Sequence, residues 1–136
     1  MSNLYGEEHV RRYQETDGEE GYIWREGSTI LLLTTTGRNS GNESTTPLIF
    51  GLDGDNPVIV ASKGGAPEHP GWYRNLSKTR EVGVQIKGEK FRARARDAEG
   101  EERERLWRMM NGEWRHYDEY QEKTERTIPV VVLERI

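Results

Sequence analysis

The sequence predicts a mainly β chain with helices, an α+β fold built as an antiparallel barrel of about six strands. Three observations predict it. Short apolar or alternating runs outnumber helical ones, and Asp53-Gly54 and Lys87-Gly88 each join two such runs as a hairpin. The strand–helix–strand alternation of a doubly wound parallel sheet does not recur along the chain. Closing an antiparallel sheet into a barrel removes its exposed edges.

The elements follow in order. A polar segment from Tyr5 to Thr16 reads as a short helix with Val10 and Tyr13 turned inward, broken by Asp17-Gly18 and Gly21. Thr29 to Thr36, bounded by Gly27 and Gly37, is rich in β-branched residues and Leu and reads as a strand buried on both faces. A polar loop, Gly37 to Ser44, leads to the strands 47–51 and 57–62. Lys63 to Pro67 is a loop, and Pro70 opens a short helix carrying Trp72 and Leu76. Val82, Val84 and Ile86 alternate, as do Phe91, Ala93 and Ala95, with Arg92, Arg94 and Arg96 on the latter strand's solvated face. From Gly100 the period turns helical, with Trp107, Met110, Trp114 and Tyr117 spaced by three, four and three and Gly112 a possible break. Ile128 to Leu133 closes the sheet.

Composition bounds the function. A length of 136 residues suits one domain, 1–136, with residues 1–20 as a polar helical arm. The net charge of −4 and the interleaving of acids with bases, as in Glu101 to Arg105, argue against nucleic acid as a partner. The absence of Cys excludes disulfides and thiolate chemistry. His9, His69 and His116 have no metal-ligand spacing, so no metal site is expected. The polar N-terminus is unlike a signal peptide, and Ile30 to Leu33 is the longest apolar run, so a cytoplasmic chain without stable membrane insertion is expected.

Four constellations can carry chemistry. In the loop Gly37-Arg38-Asn39-Ser40-Gly41-Asn42-Glu43-Ser44, glycines let amide groups converge on an anion beside the forked charge of Arg38. Alone it is equally an ordinary hydrophilic connection. Ala61-Ser62-Lys63-Gly64-Gly65 presents a compact cation where backbone can approach closely, or simply ends a strand. In His69 to Asn75 a helix N-terminus lies beside Trp72 and Asn75, suited to an anion or to plain packing. Tyr117 and Tyr120 share a helical face beside Trp114, as an aromatic core stripe or as a pocket wall. No nucleophile–base pair stands out.

Taken in order, these pieces resemble the deazaflavin-dependent nitroreductase and quinone reductase family of actinobacteria. The resemblance rests on Leu33 to Arg38, Ser40-Gly41, Thr46-Pro47-Leu48, Val58 to Gly65, Pro70 to Leu76, the two tyrosines and Thr127 to Val132, and so runs from about Glu8 to Arg135. It implies a split β-barrel, like the flavin-mononucleotide-binding oxidases, with coenzyme F-420 in its groove. It further implies that Arg38, Asn39, Ser40, Gly41 and Ser44 hold the anionic handle and that Pro47, Ala61, Ser62, Lys63 and Gly64 border the ring or its phosphate. Gly71, Trp72, Asn75 and Tyr117 complete the cofactor site. Ser62, Trp114, Tyr117 and Tyr120 would stand near the acceptor.

The chain departs from that family at Ser44, where Arg is usual, and at Asn39 and Asn42, where Lys is frequent. Charge recognition is then expected to fall to Arg38 and Lys63. The implied activity is hydride transfer from reduced coenzyme F-420 to an electron-poor acceptor, a quinone, activated alkene or nitroaromatic, with a phenol or the Ser62 hydroxyl bonded to the acceptor oxygen. The competing readings are a non-catalytic F-420 carrier and a flavin-mononucleotide- or haem-binding split barrel. A monomer is expected.

Overall fold

Among the described residues every strand joins one seven-stranded antiparallel sheet in the order β2-β1-β5-β6-β7-β4-β3. The computed structural model describes residues 4–136. Its strands are β1 (Ile30–Thr36), β2 (Glu43–Ile49), β3 (Gly51–Asp53), β4 (Asn56–Val60), β5 (Glu81–Ile86), β6 (Glu89–Asp97) and β7 (Val130–Arg135). Helix α1 (Gly6–Thr16) precedes them, α2 (Gly71–Lys78) follows β4, and α3 (Gly100–Glu113) and α4 (Tyr117–Glu122) lie between β6 and β7. The two edge strands, β2 and β3, are consecutive in the chain, so the sheet rolls back toward itself at Phe50.

Alternation within each strand sorts side chains to two faces. Leu31, Leu33, Ile59, Val82, Val84, Ala93, Val131 and Leu133 point into the barrel, where Trp72 and Leu76 of α2 plug one end. On the outside, Val58, Val60, Val130 and Val132 are covered by Leu106 and Met110 of α3 and by Tyr117 of α4. Ile30 and Leu32 meet Tyr13 of α1. Strand β1 is therefore buried on both faces, as its unbroken apolar run predicts. The Tyr13 hydroxyl donates to Ile30 O at 2.9 Å and accepts from Lys87 N at 2.8 Å, fastening α1 to the sheet.

Three boundaries differ from the sequence-based expectation. The segment Glu43–Ser44 is strand rather than loop, because Thr35 and Thr36 of β1 pair with it and Thr34 Oγ1 meets Thr45 Oγ1 at 2.8 Å. The run expected at 47–51 bends at Phe50 into two strands, which raises the count to seven. The helical stretch breaks at Trp114 rather than at Gly112, since Trp114 is extended (φ −144°) and α4 starts afresh at Tyr117. Of the three arginines on β6, Arg92 and Arg94 are exposed, but Arg96 is half-buried and forks onto Glu102 at 2.6 and 2.8 Å.

Candidate active site

The β4–α2 connection begins where Ser62 leaves the sheet. Lys63, Gly64 and Gly65 then take φ values of 46°, 64° and 86°, a left-handed run that an L side chain enters only under strain of about 1 kcal/mol or more. At Gly65 the requirement is steric as well, because a Cβ there would stand 2.7 Å from Tyr120 O. The loop is thus pressed onto α4 and brings Ser62 and Lys63 beside the tyrosines.

Above this contact lies a cavity of about 470 Å³. Its walls include Pro47 of β2, Ser62, Lys63 and Gly64 of the loop, Trp72 of α2, Trp114, and Tyr117 and Tyr120 of α4. Eight of the residues singled out from the sequence therefore come together in its wall. The sequence reading did not anticipate the other side of the cavity, formed by Leu4, Tyr5 and His9 of the N-terminal segment together with Trp24. Trp24 is fixed there by its Nε1–H donating to Leu4 O at 3.0 Å, and its ring lies 5.7 Å from that of Trp114.

The tyrosines differ in their surroundings. Tyr117 is 4% exposed, and burial raises its phenol well above the ordinary value, so the hydroxyl keeps its proton at neutral pH. The Tyr120 hydroxyl accepts from Trp114 Nε1 at 3.3 Å, which leaves its own hydrogen to donate. Ser62 is 9% exposed.

Arg38, Asn39, Ser40, Gly41, Ser44, Ala61, Gly71 and Asn75 lie outside the cavity wall. Asn75 is the link between them and it. Its Oδ1 accepts from Arg38 N at 3.1 Å and from Arg38 NH1 at 2.8 Å, and its Nδ2 donates to Thr35 Oγ1 at 3.1 Å. Arg38 NH1 also donates to Gly71 O at 3.3 Å, while Lys78 Nζ donates to Arg38 O at 2.8 Å. The β1–β2 loop is thereby clamped on α2, the helix whose Trp72 lines the cavity. Within the loop, Gly37 N and Gly41 N bond to Asn42 O and Gly37 O, and Asn42 N bonds to Ser40 Oγ. The amides of Asn39 and Ser40 are the ones left to meet an anion. Ser44 is exposed on β2, and Ala61 is fully buried beneath the loop.

Charge is uneven around this clamp. Lys63 Nζ pairs with Glu68 at 3.1 Å, and that pairing lowers the Glu68 carboxyl. Among the described residues Arg38, Arg74 and Lys78 bond to no carboxylate, and Arg74 sits one turn before Lys78 on α2. All three lie on α2 or in the loop bonded to it, outside the cavity wall.

Arg126 is a second residue that the sequence reading missed. Its guanidinium donates from Nε to Ala66 O (2.8 Å), from NH1 to Ala61 O (3.2 Å) and from NH2 to Ser62 O (2.7 Å). NH1 also stands 3.1 Å from His69 Nδ1, and burial together with the Arg126 cation lowers the His69 imidazole. One side chain thus fixes both ends of the loop that carries Ser62 and Lys63. Among the described residues no group of three or more His, Cys, Asp or Glu could hold a metal ion.

An aromatic-walled cavity suits a flat ring system, and cations without carboxylate partners on α2 and its clamped loop suit an anion. Comparisons with known proteins give the family. The family model described as F420H(2)-dependent quinone reductase matches residues 5–135. The chain is 38% identical over 130 residues to an F420H(2)-dependent quinone reductase of Mycobacterium tuberculosis, covering 93% of this chain and 87% of the relative. A solved structure of an F420-H2 dependent reductase, FDR-A, superposes with a TM-score of 0.72 at 42% identity, over 77% of this chain and 93% of the other. Another, described as a domain-swapped dimer, gives 0.75 at 39% identity over 92% and 96%. The rolled sheet with its helices is the split β-barrel these structures share. The chain belongs to the F420H(2)-dependent quinone reductase family.

Proposed function

We infer that the chain is a reductase that uses reduced coenzyme F-420 to reduce a quinone. When bound, the deazaflavin supplies a hydride to an electron-poor acceptor. The observation that carries the reading is one cavity walled by Trp114, Tyr117 and Tyr120 together with Ser62, Lys63 and Trp72, beside the helix α2 on which Asn75 holds Arg38. Trp72, Pro47 and Gly64 border the ring, and Arg38, Arg74 and Lys78, with the free amides of Asn39 and Ser40, meet the phosphodiester and carboxylate tail. Ser44 is too exposed a hydroxyl to replace an arginine's charge, so Arg38 carries more of the recognition.

The chain's own residues then orient the acceptor and exclude water. Trp24, Trp114 and Tyr120 wall the cavity for a flat quinone, while the Tyr117 hydroxyl, held protonated by burial, hydrogen-bonds its oxygen as negative charge develops. Strands from both ends of the chain, β1 and β7, share the sheet, so one domain carries the whole site. Its acceptor is a small molecule. Among the described residues no helix is long and apolar enough to cross a membrane. The 39%-identical relative is a domain-swapped dimer, so a dimer replaces the expected monomer, and light scattering of the purified chain decides between them.

Titration of coenzyme F-420, followed by anaerobic turnover with menadione, an enone and a nitroaromatic, tests the reading. Saturable binding with turnover fastest on the quinone supports it. Binding without turnover returns the carrier reading, and tight binding of flavin mononucleotide or haem in its place returns the third.

A further inference from the structure

His9 is a buried imidazole in the cavity wall with no role in the account so far. It lies in the first turns of α1, among mostly charged neighbours, yet is 2% exposed. Its Nε2 stands 2.8 Å from Gly21 O, and a carbonyl only accepts, so Nε2 carries a hydrogen. Gly21 fits the ring closely: its φ is +98°, and a Cβ there would come within 2.9 Å of His9 Cδ2. The other nitrogen, Nδ1, has no hydrogen-bond partner among the described residues. The ring lies 6.4 Å from Trp24, which in turn faces Trp114, so His9 belongs to the aromatic end of the cavity. A ring nitrogen without a partner, on a residue of the cavity wall, can meet a ligand atom.

We propose that His9 Nδ1 gives the acceptor oxygen its proton, making His9 a catalytic residue of the quinone reduction. The inference rests on the reading of the chain as a quinone reductase. Reducing a quinone to a hydroquinone takes a hydride and a proton. The hydride comes from the reduced cofactor and leaves an aryloxide oxygen, an anion that an apolar, water-poor slot holds badly. With Nε2–H fixed on Gly21 O, a second proton on the imidazole sits on Nδ1 and leaves from there. The Nδ1–H bond breaks, an O–H bond forms on the product, and neutral His9 takes a proton back from water.

The test compares menadione with N-methylphenazinium, a cation that becomes neutral on taking a hydride and needs no proton. In H9Q, whose amide can still donate to Gly21 O, the ratio of menadione to N-methylphenazinium turnover is expected to fall by about 100-fold. An unchanged ratio, or equal losses on both acceptors, overturns the proposal. A wild-type chain that reduces neither acceptor sinks the reductase reading itself, so the two failures are separate. Should H9Q not fold, the wild-type chain still answers. In the cofactor-free protein labelled with ¹⁵N-histidine, 2-methyl-1,4-naphthohydroquinone, its binding followed by tryptophan quenching, is expected to move the His9 Nδ1 resonance and leave His69 in place. A His9 resonance that stays put while the hydroquinone binds overturns the assignment.

Discussion

Replacing Arg126 with Ala removes the fork that holds Ala61, Ser62, Ala66 and His69 together. The side chain makes four contacts, at 2.8, 3.2, 3.1 and 2.7 Å. A hydrogen bond from a charged donor contributes about 1.5–3 kcal/mol when its partner is left buried, and less where water can take the donor's place. Ala61 and Ser62 are buried, but Ala66 and the guanidinium itself are partly exposed, so about 3 kcal/mol for the whole cluster is the reasonable sum. At about 2.1 cal/mol/K of unfolding entropy per residue, that corresponds to a Tm lower by about 10 °C for a chain of this length. Half of the loss, about 1.4 kcal/mol felt by the cavity loop, would weaken cofactor binding about tenfold. Differential scanning fluorimetry reads the first quantity and a fluorescence titration of coenzyme F-420 the second. Arg126→Lys keeps the charge but not the fork, and is expected to recover less than half of either. A Tm within about 1 °C of the parent, where a fall of about 10 °C is expected, together with unchanged affinity would refute the positioning role.

Other outcomes follow from the same geometry. Tyr117→Phe should lower turnover on menadione by about 10-fold or more while leaving cofactor affinity in place, because its hydroxyl acts only as charge develops on the acceptor. Equal turnover by parent and variant argues that another donor does this work. Arg38→Ala should weaken F-420 binding by about 1–2 kcal/mol and flatten its salt dependence. Lys63→Ala should weaken it less, since Lys63 is already paired with Glu68; titration in a salt series ranks the two. His69 carries a pH effect whose sign is fixed by its lowered imidazole. The unfolded chain takes up the proton first, so stability is complete above the unfolded value of about 6.5 and is lost as pH falls from there through the folded value. Protonation also sets a second cation against Arg126 NH1. Thermal melts between pH 7.5 and pH 5, a window of about the imidazole range, should show a smaller fall for His69→Gln than for the parent.

Much of the barrel was legible because its strands carry their own signatures. Ile30 to Leu33 has no polar face to give to solvent, and the structure places Leu31 and Leu33 inside with Ile30 and Leu32 under α1. Strand β2 was less legible, since Glu43-Ser44-Thr45 is polar enough to read as loop and becomes strand only through pairing with β1. The 3-4-3 spacing through Trp114 resembled one helical face, yet extended backbone at Trp114 separates α3 from α4 and swings the tyrosines onto the cavity. The site was half legible for the same reason. The residues from Pro47 to Tyr120 that line the cavity lie in recognisable motifs. His9 and Trp24 reach it only because α1 folds across the barrel, and Arg126 acts through backbone carbonyls that leave no pattern in sequence.

The central claim is that an anion clamp on α2 stands beside an aromatic acceptor site. Stopped-flow mixing of the chain, preloaded with reduced coenzyme F-420 under anaerobic conditions, against menadione tests it most directly. The account predicts rapid return of the oxidised cofactor's absorbance, dependent on both chain and quinone and slowed when Arg38 or Tyr117 is replaced. Oxidation at the rate seen without the chain would contradict it.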